Sequence, residues 1–330
     1  MNALGLTVPG EEPNSAPAGL PVSAPVTYEQ ALLALARERD DLVVLTAENR
    51  AHLRGLPKAL GPRFVDVGIC EQTMVGAAAG LALRGRTPVV HALAAFLTLR
   101  AFESIRTDVG FPRLPVKLVG FVPGLASEAN GPARQAIDDV AVMRAIPGMQ
   151  VFCPADLDEL VEALPHIVAS RAPAYVRYTS APPAVEHVVP FSIGRAEVLA
   201  HDEGVSILTY GPLLREADWA RQALAERGVP VHLVNLRTLE PVDEEAIVDA
   251  VRPAELVVTL EDHFHRGGLH TIVAETCLKH RMAPRVLGID LGSSFFAPAL
   301  HADVLAHEGL TGARVAERIL DALCRPEANS

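Results

Sequence analysis

The sequence predicts an α/β protein made of two consecutive three-layer domains, each built on a mainly parallel sheet. Short apolar runs typical of buried strands alternate with longer stretches typical of helices, which is the pattern of βαβ units. The alternation stops in a stretch with three prolines, residues 179–190, and then starts again. A length of 330 residues agrees with about two domains.

The first domain is predicted over residues 26–180. It begins with a helix, because Thr27 and Gln30 have the spacing of a capping box in front of the apolar run 31–35. Runs of strand length follow at 42–45, 64–67, 87–91, 116–121, 149–152 and 174–178. Helical patterns lie between them at 71–84, 96–109, 138–145 and 156–170. Strands joined through helices run parallel, so the first sheet is predicted to be mainly parallel.

The second domain is predicted over residues 193–325, after a linker at residues 181–192. Its strands are predicted at 205–210, 230–235, 256–260 and 285–289, with helices at 213–227 and 270–280. Residues 1–25 are rich in Pro, Gly, Ala and Ser and have no periodicity, so we predict a flexible N-terminal arm.

Composition narrows the classes of function. With a net charge of −11, the chain is a poor candidate for binding nucleic acid or an anionic membrane surface. No apolar run reaches the roughly 18 residues of a membrane span, and the N-terminus has no secretory signal pattern. The cysteines are too scattered for a metal motif or a disulfide framework, which favours a cytoplasmic protein. They are Cys70, Cys153, Cys277 and Cys324.

The first candidate for chemistry is Glu71. A predicted strand runs into Gly68 and a helix begins near Glu71, and ligands of open α/β sheets bind at the carboxyl ends of strands. By itself, this placement fits two interpretations: a carboxylate that binds a ligand, or a first-turn carboxylate that only interacts with the helix dipole. The helix continues with Gly76, Gly80 and several alanines, and small residues permit close packing against a sheet or a partner helix.

Longer motifs give a family resemblance. In the first domain they are the segments 66–72 (DVGICEQ), 80–85, 96–106 (FLTLRAFESIR), 114–120 and 143–149. In the second domain they are 238–243, 261–263, 267–269 and 274–275. In order and content these segments resemble the pyrimidine-binding and C-terminal domains of the transketolase family, whose members use thiamine diphosphate (ThDP). The resemblance covers nearly everything after residue 25.

The resemblance implies a cofactor site. The residue that matches Glu71 hydrogen-bonds N1′ of the aminopyrimidine and favours the imino tautomer, whose nitrogen takes the proton from the thiazolium carbon. A carboxyl group among apolar neighbours has a raised pKa and can share its proton with the ring. Phe96 matches an aromatic residue that stacks on the aminopyrimidine. Leu93 and Leu99 are expected to form apolar walls, with ordinary core packing as the alternative, and Ile69 is expected among the cofactor-binding residues.

A diphosphate-binding signature is missing from the sequence. In transketolases a Gly-Asp-Gly segment and a later Asn hold Mg²⁺ and the diphosphate, and this chain has no Gly-Asp-Gly. We therefore expect ThDP and Mg²⁺ to be anchored mainly by a separate diphosphate-binding subunit, in a heterotetramer with two copies of each chain (α₂β₂). We predict no metal-ligating residue in this chain.

Substrate recognition is predicted to depart from the family. Arg134 stands where relatives usually have a histidine, Asn130 where an acidic residue is frequent, and Ser180 where an arginine grips a sugar phosphate. Serine cannot replace the charge of a guanidinium. His263 matches a family position, as a structural histidine or, less favoured, a substrate contact. We expect transfer of a two-carbon ketol unit between a ketose and an aldehyde, with a substrate other than a standard sugar phosphate. The alternative is an ordinary pentose-phosphate enzyme in which Arg134 has taken over the phosphate contact.

Two alternatives stay open at this point. The β subunit of the decarboxylating component of a 2-oxo-acid dehydrogenase has the same domain order, but segment 96–103 favours a transketolase. A non-catalytic, degenerate subunit is the other, but a scaffold has no need of Glu71. A deoxyxylulose-phosphate synthase is disfavoured because that enzyme is one full-length chain.

Overall fold

The computed structural model describes residues 26–127, 130–295 and 297–325, so the predicted N-terminal arm lies outside the described residues. The strands are β1 (Leu42–Thr46), β2 (Phe64–Asp66), β3 (Thr87–Leu93), β4 (Lys117–Phe121), β5 (Gln150–Phe152), β6 (Ala174–Arg177), β7 (Glu197–His201), β8 (Val205–Thr209), β9 (Val231–Asn235), β10 (Thr238–Glu240), β11 (Leu256–Leu260) and β12 (Val286–Ile289).

The α-helices are α1 (Tyr28–Glu38), α2 (Leu56–Leu60), α3 (Glu71–Leu83), α4 (Phe102–Ser104), α5 (Asp139–Arg144), α6 (Leu157–Ala169), α7 (Leu214–Ala225), α8 (Glu244–Val251), α9 (Leu269–Lys279), α10 (His301–His307) and α11 (Gly312–Cys324). Short 3₁₀ turns occupy Gly61–Arg63 and Gly211–Leu213. In the described part of the chain, no helix combines the length and the apolar character that a membrane crossing requires.

The first sheet has seven strands in the order β10-β5-β6-β4-β3-β1-β2. All neighbours in it are parallel except β10, which pairs antiparallel with β5. Strand β1 lies between β2 and β3. Because these three strands are parallel, the carboxyl ends of β2 and β3 lie at the same edge of the sheet, where α3 and the segment after β3 begin.

Both faces of the first sheet are covered, as β1 illustrates. Val43 and Leu45 pack into a core with α3, whereas Leu42 and Val44 pack into a second core with α1 and α6. Alternate residues of a strand point to opposite faces, so a strand buried on both sides is apolar throughout. This explains why continuous apolar runs predicted these strands, and it confirms the predicted fold class.

The second sheet has five strands in the order β12-β11-β8-β9-β7, with β7 antiparallel to β9 and the other pairs parallel. Helices α7 and α11 cover one face. On the other face, α8 and α9 join the same apolar core that contains α3 and α5 of the first domain. The two domains thus share one core, and β10 extends the sheet of the first domain with residues from the second.

Several elements were not predicted. They are α2, α8, α10, α11, β7 and β10. Strand β10 has three residues and pairs with β5 across a register shift, so only a long-range contact defines it. The helix predicted over 96–109 is also different in kind, because π-helical stretches at Phe96–Arg100 and Ile105–Gly110 flank the single turn α4. Side-chain periodicity does not distinguish such turns from an α-helix.

The segment between β6 and β7 contains no helix or strand, and His187 connects it to both domains. Its Nε2 lies 2.9 Å from Oδ2 of Asp156, at the start of α6, and its Nδ1 lies 2.7 Å from Oε2 of Glu197, at the start of β7. Burial disfavours the imidazolium, but these two hydrogen bonds outweigh it and raise the pKa of His187 to about 10. The charged ring therefore holds the linker against both domains at neutral pH.

We expect the fold to lose stability between pH 7 and pH 10. His187 is protonated in the folded state up to a pKa of about 10, whereas an unfolded histidine has a pKa of about 6.5. Its contribution is complete below about pH 6.5 and disappears as the pH rises through the folded pKa. Urea denaturation at several pH values should show that the free energy of unfolding falls as the pH rises. The difference in this free energy between wild type and His187→Gln should become smaller over the same range. The exposed His307→Gln variant should keep the wild-type slope; a constant gap for His187→Gln would contradict the prediction.

Candidate functional site

Glu71 is the first residue of α3, and its side chain is buried. A turn in which Gly68 adopts φ +73° carries the chain from β2 to this helix, and Glu71 is 2% exposed. At this position the carboxylate also interacts favourably with the helix dipole. The Nη1 atom of Arg100 lies 3.2 Å from Oε1 and 3.0 Å from Oε2 of Glu71, so a guanidinium neutralises the buried carboxylate.

Phe96 begins the π-helical stretch that follows β3 and brings an aromatic ring to the same place. The guanidinium carbon of Arg100 lies 4.2 Å from the centroid of this ring, a cation–π contact. Arg100 is itself fixed at its backbone, where its carbonyl accepts a hydrogen bond of 3.1 Å from Nε2 of Gln72. The structure thus joins Glu71 and Phe96 through one arginine.

Arg100 lies within the motif 96–106, but the sequence predicted no role for it. A signal was present, because residues four apart on a helical segment lie on one face, and Phe96 and Arg100 have that spacing. The pairing of Arg100 with Glu71, 29 residues away, could not be obtained from spacing.

The three other residues predicted to contact the cofactor have different surroundings. Ile69 is 66% exposed, just before α3, and Leu99 is 46% exposed, just before Arg100. Ile69 lies two residues before Glu71 in the sequence, and Leu99 is adjacent to Arg100, which contacts the Glu71 carboxylate. Leu93, at the end of β3, packs against the core formed with α1 and α6. Its contact with a cofactor stays a prediction, as do those of Ile69 and Leu99.

A separate cavity lies between the two domains. It has a volume of about 440 Å³ and is lined by Ser180, His52, Tyr178, Asp262 and Arg215, among others. Ser180 follows β6, so the cavity also lies at the carboxyl edge of the first sheet. The phenol of Tyr178 lies 3.1 Å from Nδ1 of His52, which fixes one wall. Of the predicted substrate residues, Ser180 faces this cavity.

The other predicted substrate residues lie elsewhere. Arg134 and Asn130 are exposed in the loop before α5, where Nδ2 of Asn130 is 3.4 Å from Oγ of Ser127. The ring of His263 is fully buried, with Nδ1 2.7 Å from the carbonyl of Phe264 and Nε2 3.4 Å from the amide of Ala141. Since Ala141 belongs to α5, His263 joins the two domains and has no exposed surface for a substrate.

Asp262 is held at the cavity wall by a buried ionic network. Arg177, at the end of β6, donates from Nε to Asp139 (3.0 Å) and from Nη1 to Asp262 (2.7 Å). The phenol of Tyr175 also donates to Asp139, at 2.6 Å. Arg177 is 3% exposed, and removing one partner from such a pair costs about 3–5 kcal/mol because a buried charge is left uncompensated.

A cluster of possible metal ligands is satisfied by charge pairing instead. Ligand atoms of Glu159, His187 and Glu197 lie within 4.8 Å of one another. His187 uses both ring nitrogens for hydrogen bonds, and a protonated imidazole has no lone pair for a metal. Arg237 adds a second positive charge, with Nε 3.4 Å from Glu159. Burial raises the pKa of Glu159 to about 7, which further reduces the negative charge of this cluster.

The sequence matches two family descriptions in order. Residues 22–181 match the transketolase pyrimidine-binding domain, and residues 194–315 match the transketolase C-terminal domain. The chain belongs to the transketolase family. This confirms the family predicted from the motifs, and the pyrimidine-binding domain is the one that contains Glu71, Phe96 and Arg100.

Two relatives that are covered over most of their length are named as transketolase subunits. A 6-deoxy-6-sulfo-D-fructose transketolase subunit from Clostridium sp. (strain MSTE9) is 36% identical over 257 residues, which are 76% of this chain and 79% of the relative. A subunit of an apulose-4-phosphate transketolase from Phocaeicola vulgatus is 32% identical over 270 residues, 80% of this chain and 86% of the relative. A split-gene transketolase solved as an inactive β4 tetramer has a TM-score of 0.81 at 32% identity, covering 90% of this chain and 96% of that one.

Proposed function

We propose that this chain is the pyrimidine-binding subunit of a split, ThDP-dependent transketolase that transfers a two-carbon ketol unit from a ketose to an aldehyde. The observation that carries the proposal is the meeting of a buried carboxylate, Glu71, with an aromatic ring, Phe96, at the carboxyl edge of the first sheet. These are the two groups that an aminopyrimidine needs, one for a hydrogen bond to a ring nitrogen and one for stacking. The donor set therefore fits this half of the cofactor.

Each residue has a separate task in this proposal. When bound, ThDP supplies the electron sink that makes cleavage of a carbon–carbon bond possible. Glu71 would share a proton with N1′ of the aminopyrimidine, and its burial shields this contact from water. Phe96 orients the ring by stacking, and the exposed side chains of Ile69 and Leu99 exclude water once they are covered.

The diphosphate and Mg²⁺ would be held by a partner subunit, in an α₂β₂ assembly. Support comes from relatives of similar length that are transketolase subunits. The exposed face of α3 fits such an assembly, since Gly76 and Gly80 leave open space where side chains would stand. Glycine at successive turns lets another backbone approach closely.

The isolated chain should bind ThDP weakly and associate with itself. The isolated chain has residues for contact with the aminopyrimidine but none assigned to the diphosphate. The face of α3 that carries Gly76 and Gly80 also remains uncovered. Calorimetry with ThDP and Mg²⁺ should show no tight binding, and sedimentation should show oligomers that give way to a mixed complex when the partner is added. Micromolar or stronger binding by the chain alone would refute the division of the site between two subunits.

Replacing Glu71 by Gln tests the cofactor role. Glutamine keeps the shape of the side chain but has no proton to share, so turnover of the assembled complex should fall by about 100-fold or more. The control is Glu103→Gln, an exposed carboxylate in the same domain, which should leave turnover unchanged. Nearly normal turnover in Glu71→Gln, with assembly intact, would exclude the role of Glu71.

We further propose that the substrate is recognised differently from a standard sugar phosphate. Ser180 contributes no charge to the cavity, whereas Arg215 lines it and Arg134 is exposed in the loop before α5. The Clostridium and Phocaeicola relatives are named for a sulfo sugar and for apulose 4-phosphate. Such names support a substrate range wider than the ordinary pentose phosphates.

The ratio of kcat/KM for xylulose 5-phosphate to that for unphosphorylated xylulose tests this proposal in the assembled complex. We expect a ratio near or below one, because serine at position 180 cannot form an ion pair with a phosphate. A strong preference for the phosphorylated sugar would contradict the proposal. Arg134→Ala and Arg215→Ala would then identify the residue that contacts the phosphate, because only the variant without that contact would lose the preference.

A further inference from the structure

The side chain of Arg100 contacts both residues that the proposal assigns to the cofactor ring, Glu71 and Phe96. The Arg100 guanidinium contacts both carboxylate oxygens of Glu71, at 3.2 and 3.0 Å, while its carbon lies 4.2 Å from the centroid of Phe96. Like an aminopyrimidine, a guanidinium is a flat, nitrogen-rich group with N–H donors at its edge and a π face above and below. It therefore makes the same two kinds of contact from one position.

The burial of the two partners is unequal. The Glu71 side chain is 3% exposed and the Arg100 side chain is 43% exposed. A buried carboxylate needs a partner, because it has lost its water. The guanidinium, by contrast, can turn into solvent and be hydrated there. The carboxylate is thus the fixed member of the pair and the arginine the exchangeable one.

Contact with the ring and contact with the arginine exclude each other. A cofactor ring that hydrogen-bonds Glu71 while stacking on Phe96 needs the space between these two groups, and Arg100 lies in that space. Arg100 belongs to a π-helical stretch, and the hydrogen bond from Gln72 holds its backbone. Only the side chain therefore has to move.

We propose that Arg100 is a placeholder for the aminopyrimidine, which neutralises Glu71 and covers Phe96 in the cofactor-free chain and is displaced when the cofactor binds. This inference rests on the proposed function, because it presupposes that ThDP binds here. It assigns Arg100 a role in the loading of the enzyme. The arginine protects the buried carboxylate before assembly and lowers the apparent affinity for ThDP.

Calorimetric titration of ThDP into the assembled complex, with Mg²⁺, tests the placeholder. In Arg100→Ala no ion pair or cation–π contact has to be broken, so the Kd should tighten by about three- to tenfold. Arg100→Lys keeps the charge but not the flat stack, and its Kd should lie between those of wild type and Arg100→Ala. The control is Arg106→Ala, an exposed arginine farther along the same segment, which should bind like wild type.

Thermal unfolding gives a second, independent measurement. Without ThDP, the Arg100→Ala complex should unfold at a lower temperature than wild type, because Glu71 loses its partner. With saturating ThDP the ring replaces the arginine, so the rise in Tm on loading should be larger in the variant. An unchanged or weaker Kd in Arg100→Ala, or an equal rise in Tm, would overturn the placeholder alone. Absence of ThDP binding in every complex, wild type included, would overturn the proposed function together with it.

Discussion

Burial of the first sheet on both faces is the constraint on which the rest of the structure depends. All five residues of β1 are buried, with alternate side chains in two different cores. A strand in this position has no place for a solvated polar group. Groups that contact a ligand are therefore expected at the ends of the strands, near which Glu71, Phe96 and Ser180 all lie. The two candidate sites share one edge of the sheet for this physical reason.

A buried carboxylate at that edge needs compensation in every state of the protein. In the structure Glu71 is paired with Arg100, and in the proposed loaded state the aminopyrimidine would take the place of the arginine. The same principle governs the interior of the molecule. Asp139 is fully buried, and its Oδ2 accepts hydrogen bonds from Arg177 and Tyr175. The two buried acids differ in their partners. Asp139 is paired with the buried Arg177, which suits a structural role. Glu71, by contrast, is paired with the half-exposed Arg100, which suits the proposed exchange for a cofactor.

The sequence was sufficient for features that depend on local patterns. Strand β1 could be predicted because a strand covered on both faces is a continuous apolar run. The position of Glu71 at the start of a helix could be predicted because its segment follows a strand, whereas its cofactor role comes from the family resemblance and stays a proposal. Features made by distant residues could not be predicted. The contact of Arg100 with Glu71 depends on a side-chain conformation, and the burial of His263 depends on the docking of α5 against the second domain. Strand β10 is a strand only because β5 lies beside it.

Strand β10 also bears on how the chain is made. Residues 238–240 complete a sheet whose other six strands end at residue 177, so during synthesis β5 emerges from the ribosome well before its neighbour. Until then the backbone of β5 is an open edge, and open edges pair with other chains. The second domain thus caps the first as well as adding its own fold. A chain cut within the linker would leave that edge open to aggregation.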